Sequence, residues 1–415
     1  DVVELHCHGS VAVVDGVLSA LGELNMLRPA ERGEFTRRAY ASGKLGLTEV
    51  EGLADLLVAQ TKQQRRQALS VASGALERRY AAWREELAAI RASAEAVVDF
   101  GDDVDGDVST AETLEPTIRR IENFRDRLRK GADQHRGEAV RDGVRVVLAG
   151  PPNAGKSSLL NALAQRPAAI VSDAAGTTRD VLEVALNLDS IPVRLFDTAG
   201  LRSDTDDAVE KEGVRRAADL IATAHLVCFV LDTSGSLDFH SLLGPFLSDA
   251  FDTVEDDDEA RRTFLFVANK SDEREAATLA ECRAALEDYL VEDDVLDDAA
   301  KRRIRAAPWV ASAAILDDEG GVDALEAALT SRVRERFGSR EDDDEEVPAI
   351  TRQRHRTHVL KCLESLDRAI AVAADAPELG AEDLRLASLE LGRVVGDIDV
   401  EDVLDHLFRD FCIGK

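Results

Sequence analysis

The stretch VRVVLAGPPNAGKSSLLNAL, residues 144–163, decides the fold of this chain. Its apolar start predicts a strand, its glycine-rich middle a loop, and its end a helix. The loop fits the pattern G-x-x-x-x-G-K-[ST] at Gly150, Gly155, Lys156 and Ser157. In that pattern backbone N–H groups surround phosphate oxygens, the lysine reaches the β- and γ-phosphates, and the hydroxyl ligates Mg²⁺. The stretch therefore predicts a phosphate-binding α/β domain.

Three motifs downstream indicate which nucleotide binds. DTAG, residues 197–200, provides Asp197 as a carboxylate near Mg²⁺ and the Gly200 N–H as a contact to the γ-phosphate. In NKSD, residues 269–272, Asp272 can accept two hydrogen bonds from guanine, a pair that adenine does not offer. Asn269 and Lys270 would support this loop, and SAA, residues 312–314, would contact guanine O6 through its backbone. The order of the motifs predicts a GTP-binding domain.

The segment AAGTTRD, residues 174–180, lies where a switch loop is expected, and its Thr178 is the candidate for a second Mg²⁺ hydroxyl ligand. Leu201 follows DTAG, where Ras-like proteins carry a water-orienting glutamine, and no arginine finger is evident. We therefore expect a carboxylate in LRSDTDDAVEKEG, residues 201–213, to orient the attacking water.

The formal net charge of −30 repels nucleic acid, so any contact with it would need local basic segments. Candidates are TRQRHRTHVLK (351–361) and RRIENFRDRLRK (119–130), although composition alone favours solvated helix faces. We interpret the acidity as adaptation to a salt-rich cytoplasm. Five scattered cysteines argue against a disulfide framework, and no membrane-spanning run or signal peptide is evident. These features predict a cytoplasmic protein.

Helical periodicity flanks the α/β segment, which predicts an α/β domain inserted into a helical domain. At the start of the chain, Val3, Leu5 and Cys7 alternate with polar residues, which predicts a strand, and we expect the chain to begin inside a domain. HCH at 6–8 is interpreted as part of that strand rather than as a metal site. The ending DHLFRDFCIGK, residues 405–415, fits a prenylation signal poorly, which leaves a frayed end or a docking tail.

Several of these stretches together resemble the tRNA-modification GTPase MnmE (TrmE) family. They are RGEFTRRAYASGKLGL (32–47), GPPNAGKSSLLNAL (150–163), IVSDAAGTTRDV (170–181), DTAGLR (197–202) and the terminal FCIGK (411–415). The resemblance implies a P-loop GTPase domain inserted into an all-α helical domain and preceded by a truncated α+β N-terminal domain. The implied boundaries are 1–44 for the remnant of a folate-binding and dimerisation domain, 45–140 and 338–415 for the helical domain, and 141–337 for the G domain.

The resemblance also implies the residues of the nucleotide site. The expected GTP contacts are Asn153, Ala154, Gly155, Lys156, Ser157, Ser158, Ser172, Asp173, Ala174, Ala175, Gly176, Thr177, Thr178, Asp197, Thr198, Ala199, Gly200, Asn269, Lys270, Asp272, Ser312, Ala313 and Ala314.

Catalysis is expected from Lys156, Thr178 and the water-orienting Glu210, with Asp206, Asp207 and Glu212 as rivals because of one inserted residue. Mg²⁺ would be held by Ser157 and Thr178. K⁺ would be held by Asn153, Ser172, Ala174 and Thr177, and would supply the charge of an arginine finger when two G domains dimerise.

For the tail, the resemblance implies docking near a site for 5-formyltetrahydrofolate, with Glu4, Lys44 and Lys415 as contacts. Two residues depart from the family pattern there: Arg32 replaces a proline, and Gly46 replaces an aspartate. Cys412 is expected either to take part in modification or to pack.

The implied function is a K⁺-activated GTPase in the modification of tRNA wobble uridine to 5-carboxymethylaminomethyl or aminomethyl types. The implied partners are a second copy, tRNA and a flavin-dependent protein of the MnmG (GidA) type in a heterotetramer. The alternative is a ribosome-assembly or signalling GTPase switch, against which the helical flanks and FCIGK argue.

Overall fold

The computed structural model describes residues 2–100, 110–132, 135–170, 183–198, 219–234, 239, 263–271, 278–292, 296, 298–312, 321–338, 350–373, 375–396, 403–404, 407–408 and 411. The chain divides into two compact units. The helical unit comprises 1–58, 68–128 and 357–415, and the sheet unit comprises 59–67 and 129–356. In chain order the sheet unit interrupts the helical unit, which confirms the expected insertion of an α/β domain into a helical one.

The described helices and strands follow one another along the chain in a fixed order. They are α1 (Val11–Gly22), α2 (Glu34–Ala41), α3 (Leu47–Val58), α4 (Lys62–Ala72), α5 (Ala75–Phe100), α6 (Thr110–Ala132), α7 (Arg136–Asp142), β1 (Val144–Ala149), α8 (Lys156–Ala164), β2 (Glu183–Leu188), β3 (Ile191–Asp197), β4 (Leu226–Asp232), β5 (Thr263–Asn269), α9 (Thr278–Glu292), α10 (Asp298–Ala306), β6 (Trp309–Ser312), α11 (Gly321–Phe337), α12 (Gln353–Val372) and α13 (Pro377–Val395).

The sheet unit is built on a six-stranded sheet in the order β2-β3-β1-β4-β5-β6. All neighbouring strands are parallel except β2, which runs antiparallel to β3. In register, Leu148 lies beside Asp197, and Asp232, Asn269 and Ser312 follow one another across β4, β5 and β6. The carboxyl ends of the strands thus bring the polar motif residues to one edge, where ligands bind in open α/β sheets.

Helices cover both faces of the sheet, and alternate residues of each central strand point to opposite faces. In β4, Cys228 and Val230 join the core formed with α8 and α11, while Phe229 and Leu231 join the core formed with α9 and α10. This explains why the strands appear in the sequence as continuous apolar runs.

In the helical unit, α13 packs along α5, and α3 packs against both. Near the end of the chain, Leu407, Phe408 and Phe411 form a small core with Val50. The glycine of RGEF allows this contact: Gly33 has φ +67, and a Cβ there would lie 2.4 Å from Cδ1 of Phe408. The residues just before the terminal tail are therefore packed rather than frayed.

The strand expected at the start of the chain is wrong. Residues 2–10 have no regular secondary structure, and Val2, Val3 and Leu5 are exposed. The alternation is present, but a strand also needs a neighbouring strand to satisfy its backbone. In the described part of the chain, the one sheet is that of the sheet unit.

Candidate functional site

Two glycines shape the phosphate loop. Gly150 has φ +142 and Gly155 has φ +92, which are conformations that L side chains rarely adopt. A Cβ on Gly150 would lie 2.3 Å from the carbonyl oxygen of Val230, and one on Gly155 would lie 2.2 Å from Nδ2 of Asn269. Gly155 is the N-cap of α8, so this helix begins directly after the loop and its positive end faces the loop. The loop thus has the geometry of an anion cradle.

The charged side chains at the phosphate loop are buried and hydrogen-bonded. Lys156 is 4% exposed, and its Nζ donates hydrogen bonds to the carbonyl oxygens of Gly150 (3.0 Å) and Pro151 (2.7 Å). The Ser157 hydroxyl donates to the carboxylate of Asp197, which is fully buried at the end of β3. A hydroxyl and a carboxylate side by side are the oxygen donors that Mg²⁺ prefers, so these residues fit the predicted ion.

Asn269 links the guanine-recognition motif to the phosphate loop. Its side-chain Nδ2 donates to the carbonyl oxygen of Ala154 at 2.7 Å. The backbone carbonyl of Asn269 accepts a hydrogen bond from the Thr233 hydroxyl at 2.8 Å. Nearby, the Ser271 hydroxyl donates to the carbonyl of Ser312 at 3.1 Å. Three motifs that lie far apart in the sequence therefore form one rigid edge.

Two atoms at this edge are buried without a hydrogen-bond partner among the described residues: Oδ1 of Asn269 and Oγ of Ser312. Buried polar atoms normally have partners, because an unmade hydrogen bond costs free energy. Both atoms belong to predicted guanine-binding motifs, which is consistent with polar ligand groups binding there.

Asp232 and Ser234 are site residues that the sequence analysis missed. Lys270 has φ 60, and its Nζ lies 2.5 Å from Oδ2 of Asp232, whose Oδ1 accepts hydrogen bonds from the N–H (2.9 Å) and hydroxyl (2.6 Å) of Ser234. Burial alone would raise the pKa of Asp232, but the hydrogen bonds from Lys270 and Ser234 outweigh it and lower that pKa. The signal was available, because Asp232 ends the apolar run HLVCFVLD, residues 225–232, and this strand lies parallel to the strand that leads into NKSD.

The other predicted contacts of the nucleotide site differ in exposure. Asn153 is exposed with φ 62, and Ser158 is exposed on the first turn of α8. The Thr198 hydroxyl instead donates to the Leu148 carbonyl at 2.9 Å, so it fastens β3 to β1. Outside the described residues lie Ser172, Asp173, Ala174, Ala175, Gly176, Thr177, Thr178, Ala199, Gly200, Leu201, Asp206, Asp207, Glu210, Glu212, Asp272, Ala313 and Ala314.

Two of the predicted folate contacts, Glu4 and Lys44, lie in exposed positions. Glu4 is exposed and lies 3.6 Å from His6, and Lys44 is exposed after α2. Lys415 and Cys412 lie outside the described residues. Gly46 stands close to a carboxylate, since a Cβ there would lie 3.0 Å from Oε2 of Glu77.

The described cysteines, Cys7, Cys228, Cys282 and Cys362, form no disulfide with one another. No group of three metal-ligating side chains occurs among the described residues, so HCH at 6–8 gains no further ligand there. The helices of the described part include none that is both long and apolar enough to span a bilayer.

Comparison with known proteins finds matches along the whole chain. Residues 47–412 match the model of the MnmE helical domain, and residues 1–44 match that of the GTP-binding protein TrmE N-terminus. The chain is 46% identical over 424 residues to a tRNA modification GTPase MnmE of Rhodospirillum rubrum, covering all of this chain and 81% of the relative.

Two further relatives show similar coverage. One is a tRNA modification GTPase MnmE of Parvibaculum lavamentivorans, 46% identical over 420 residues, covering all of this chain and 83% of the relative. The other is the mitochondrial 5-taurinomethyluridine-[tRNA] synthase subunit GTPB3 of Danio rerio, 42% identical over 417 residues, covering all of this chain and 79% of the relative.

Proposed function

The chain belongs to the MnmE family of tRNA modification GTPases, and from this premise we propose that it is a K⁺-activated GTP hydrolase acting on the wobble uridine of tRNA. Membership of this family makes the chain a GTPase that acts in tRNA modification. The observation that supports catalysis by this chain is the link from Asn269 to Ala154, which joins base recognition to the phosphate loop. K⁺ activation, the folate and the partner protein are the finer parts of the proposal.

The phosphate loop binds and orients GTP. Lys156 and the positive end of α8 stabilise the negative charge of the β- and γ-phosphates. Ser157 would hold Mg²⁺ with the carboxylate of Asp197 nearby, and the ion would offset phosphate charge when bound. In the base-binding loop, Asp272 accepts the two guanine hydrogen bonds, while Asn269 and Lys270 hold the loop in position. Binding of GTP rather than ATP follows, because adenine would leave a carboxylate unpaired.

Hydrolysis needs positive charge at the phosphates and an oriented water molecule. We assign the first to K⁺ held by Asn153, whose exposed side chain lies in the phosphate loop, together with Ser172, Ala174 and Thr177. Glu210 orients the water, and Thr178 adds a hydroxyl ligand for Mg²⁺. Two copies meeting through their G domains would enclose the K⁺ site.

The test is the GTP hydrolysis rate in KCl and in NaCl at equal ionic strength, for wild type and Asn153→Ala. K⁺ should accelerate the wild type by at least about tenfold, as a charge does in other GTPases. The variant should lose that acceleration while still binding GTP. Equal wild-type rates in both salts, or full K⁺ dependence in the variant, would exclude this mechanism.

The wider role couples hydrolysis to modification of the wobble uridine to 5-carboxymethylaminomethyl or aminomethyl types. A flavin-dependent protein of the MnmG type would act with a dimer of this chain, and 5-formyltetrahydrofolate would bind near Glu4, Lys44 and Lys415. Cys412 lies three residues before Lys415 in the sequence, so it is the candidate for a chemical role in the tail.

The rival function is a ribosome-assembly or signalling switch. Mass spectrometry of wobble uridines in tRNA from a deletion strain separates the two, because a switch would leave the modification profile unchanged. Loss of the modified uridine, restored by the wild-type chain, is the expected result.

A further inference from the structure

In the two basic segments that the sequence offered as nucleic-acid contacts, several side chains are paired with carboxylates of the protein itself. In 119–130, the cations Arg119, Arg125 and Arg127 lie within salt-bridge distance of Glu115, Asp126, Asp367 and Glu86. In 351–361, the guanidinium of Arg356 is buried against Glu138, and His358 lies 2.8 Å from Glu390. Arg119, Arg125, Arg127 and Arg356 already have carboxylate partners within the protein, so their charge alone does not mark a binding surface for an anion.

A cavity in the sheet unit has more cationic than acidic side chains among the described residues that line it. Its volume is about 260 Å³, and it lies among the first turn of α4, the β2–β3 turn and the end of α11. Lys62, Arg66 and Arg334 line it with three cations, and among the described lining residues the only carboxylate is that of Asp189. Asp189 lies 3.4 Å from Arg334, and an exposed ion pair of this kind contributes little to stability. In a chain of net charge −30 the lining has an excess of positive charge.

The cavity is built on a fixed framework. Three glutamines of α4 donate side-chain hydrogen bonds to backbone carbonyls of the sheet unit: Gln63 to Phe337 (2.9 Å), Gln64 to Arg141 (3.0 Å) and Gln67 to Gly137 (2.8 Å). Lys62 and Arg66 lie one helical turn apart, so they share a face of α4. The helix is therefore held while its cations remain at the exposed surface.

We propose that this cavity docks backbone phosphates of the tRNA substrate. The inference rests on the proposed function, since it presumes that tRNA binds. Phosphate groups are recognised by clustered Arg and Lys without reading the sequence, and such contacts fix the position of the nucleic acid. Long-range repulsion from the acidic chain is screened by salt, while contacts within a few ångströms persist. The cavity thus allows an acidic protein to bind RNA at one place.

The test measures the affinity of the full-length chain for labelled unfractionated tRNA over a series of KCl concentrations. Lys62→Ala with Arg66→Ala should weaken binding about tenfold and reduce the slope of log affinity against log salt by about 1–2. Both side chains are exposed, so folding should be retained. The matched control is Arg385→Ala, which removes an exposed helix arginine paired with Glu382.

A second variant should act in the opposite direction. Asp189→Asn removes the carboxylate found among the described lining residues and keeps the φ of 50, which asparagine tolerates. It should tighten tRNA binding several-fold. Neither variant touches the nucleotide site, so GTP hydrolysis without tRNA should keep the wild-type rate.

Each outcome decides between the two proposals. If the wild type does not bind tRNA, the proposed tRNA role and this inference fail together. If it binds but the double variant matches Arg385→Ala in affinity and slope, only this inference fails. Displacement of tRNA by inorganic phosphate at constant ionic strength would indicate a free-anion site, and would likewise overturn docking of the RNA backbone.

Discussion

At the scale of single residues, the site depends on side chains and glycines that bring separate loops into contact. Asn269 reaches the phosphate loop at Ala154, and the space it occupies exists only because Gly155 has no Cβ. Lys270 reaches back to Asp232 at the end of the neighbouring strand. Each contact couples the loop that recognises the base to another part of the site.

Gly155→Ala should weaken GTP binding roughly tenfold to hundredfold. The alanine would have to adopt a φ of +92, and its Cβ would displace Nδ2 of Asn269, at a cost of about 1–3 kcal/mol. The measurement is nucleotide affinity by fluorescence titration. Gly16→Ala is the control, since nothing lies within 4 Å of a Cβ there. Unchanged affinity in the Gly155 variant would contradict the geometry.

Asp232→Asn should raise the KM for GTP about three- to thirtyfold and leave kcat nearly unchanged. It removes the charge that holds Lys270 but keeps the shape of the side chain, so the base-binding loop loses order in the ground and transition states alike. Steady-state kinetics with GTP measures both constants. Asp126→Asn, which alters an exposed pair with Arg125, should leave them unchanged. A fall in kcat alone would argue for another role.

At the scale of elements, the end of α6, the start of α7 and the start of α12 are joined by one buried ion pair in the sheet unit. Arg356 donates to Glu138 at 2.6 and 2.8 Å and to the carbonyl of Ala132 at 2.9 Å. Burial alone would raise the pKa of Glu138, but His135 and Arg356 lower it to about 2. The carboxylate therefore stays charged well below neutral pH.

This lowered pKa predicts an acid-sensitive stability. The contribution of Glu138 should be complete above its ordinary pKa of 4.5 and disappear as pH falls toward about 2. At pH 7, Glu138→Gln should lower the free energy of unfolding by roughly 1–3 kcal/mol, allowing for screening of a partly exposed group. The difference from wild type should shrink between these two pKa values.

Denaturant unfolding in a Trp83→Phe background measures this effect, because Trp309 then reports the sheet unit. Glu382→Gln, in an exposed pair with Arg385, is the control and should change little. A difference that stays constant from neutral to acid pH would show that Glu138 acts through packing rather than charge.

At the scale of the whole molecule, the net charge of −30 opposes compaction through self-repulsion. Salt shortens the reach of that repulsion, so unfolding midpoints should rise as the ionic strength increases from about 0.1 M to about 1 M or more. Thermal unfolding in NaCl and in KCl measures this, and similar gains in both salts would separate screening from specific K⁺ binding. A stability maximum at low salt would contradict the interpretation of salt adaptation.

The sequence by itself determined the insertion of an α/β domain, the phosphate loop and the family, because these follow from apolar periodicity and from short local motifs. Tertiary structure decided the rest. Pairing of strands placed Asp232 beside Lys270, and packing of the helices placed Arg125 beside Asp367 and Lys62 and Arg66 around a cavity. The alternation at residues 2–8 formed no strand. Strand pairing, charge balance and cavities depend on residues far apart in the chain, which local pattern does not encode.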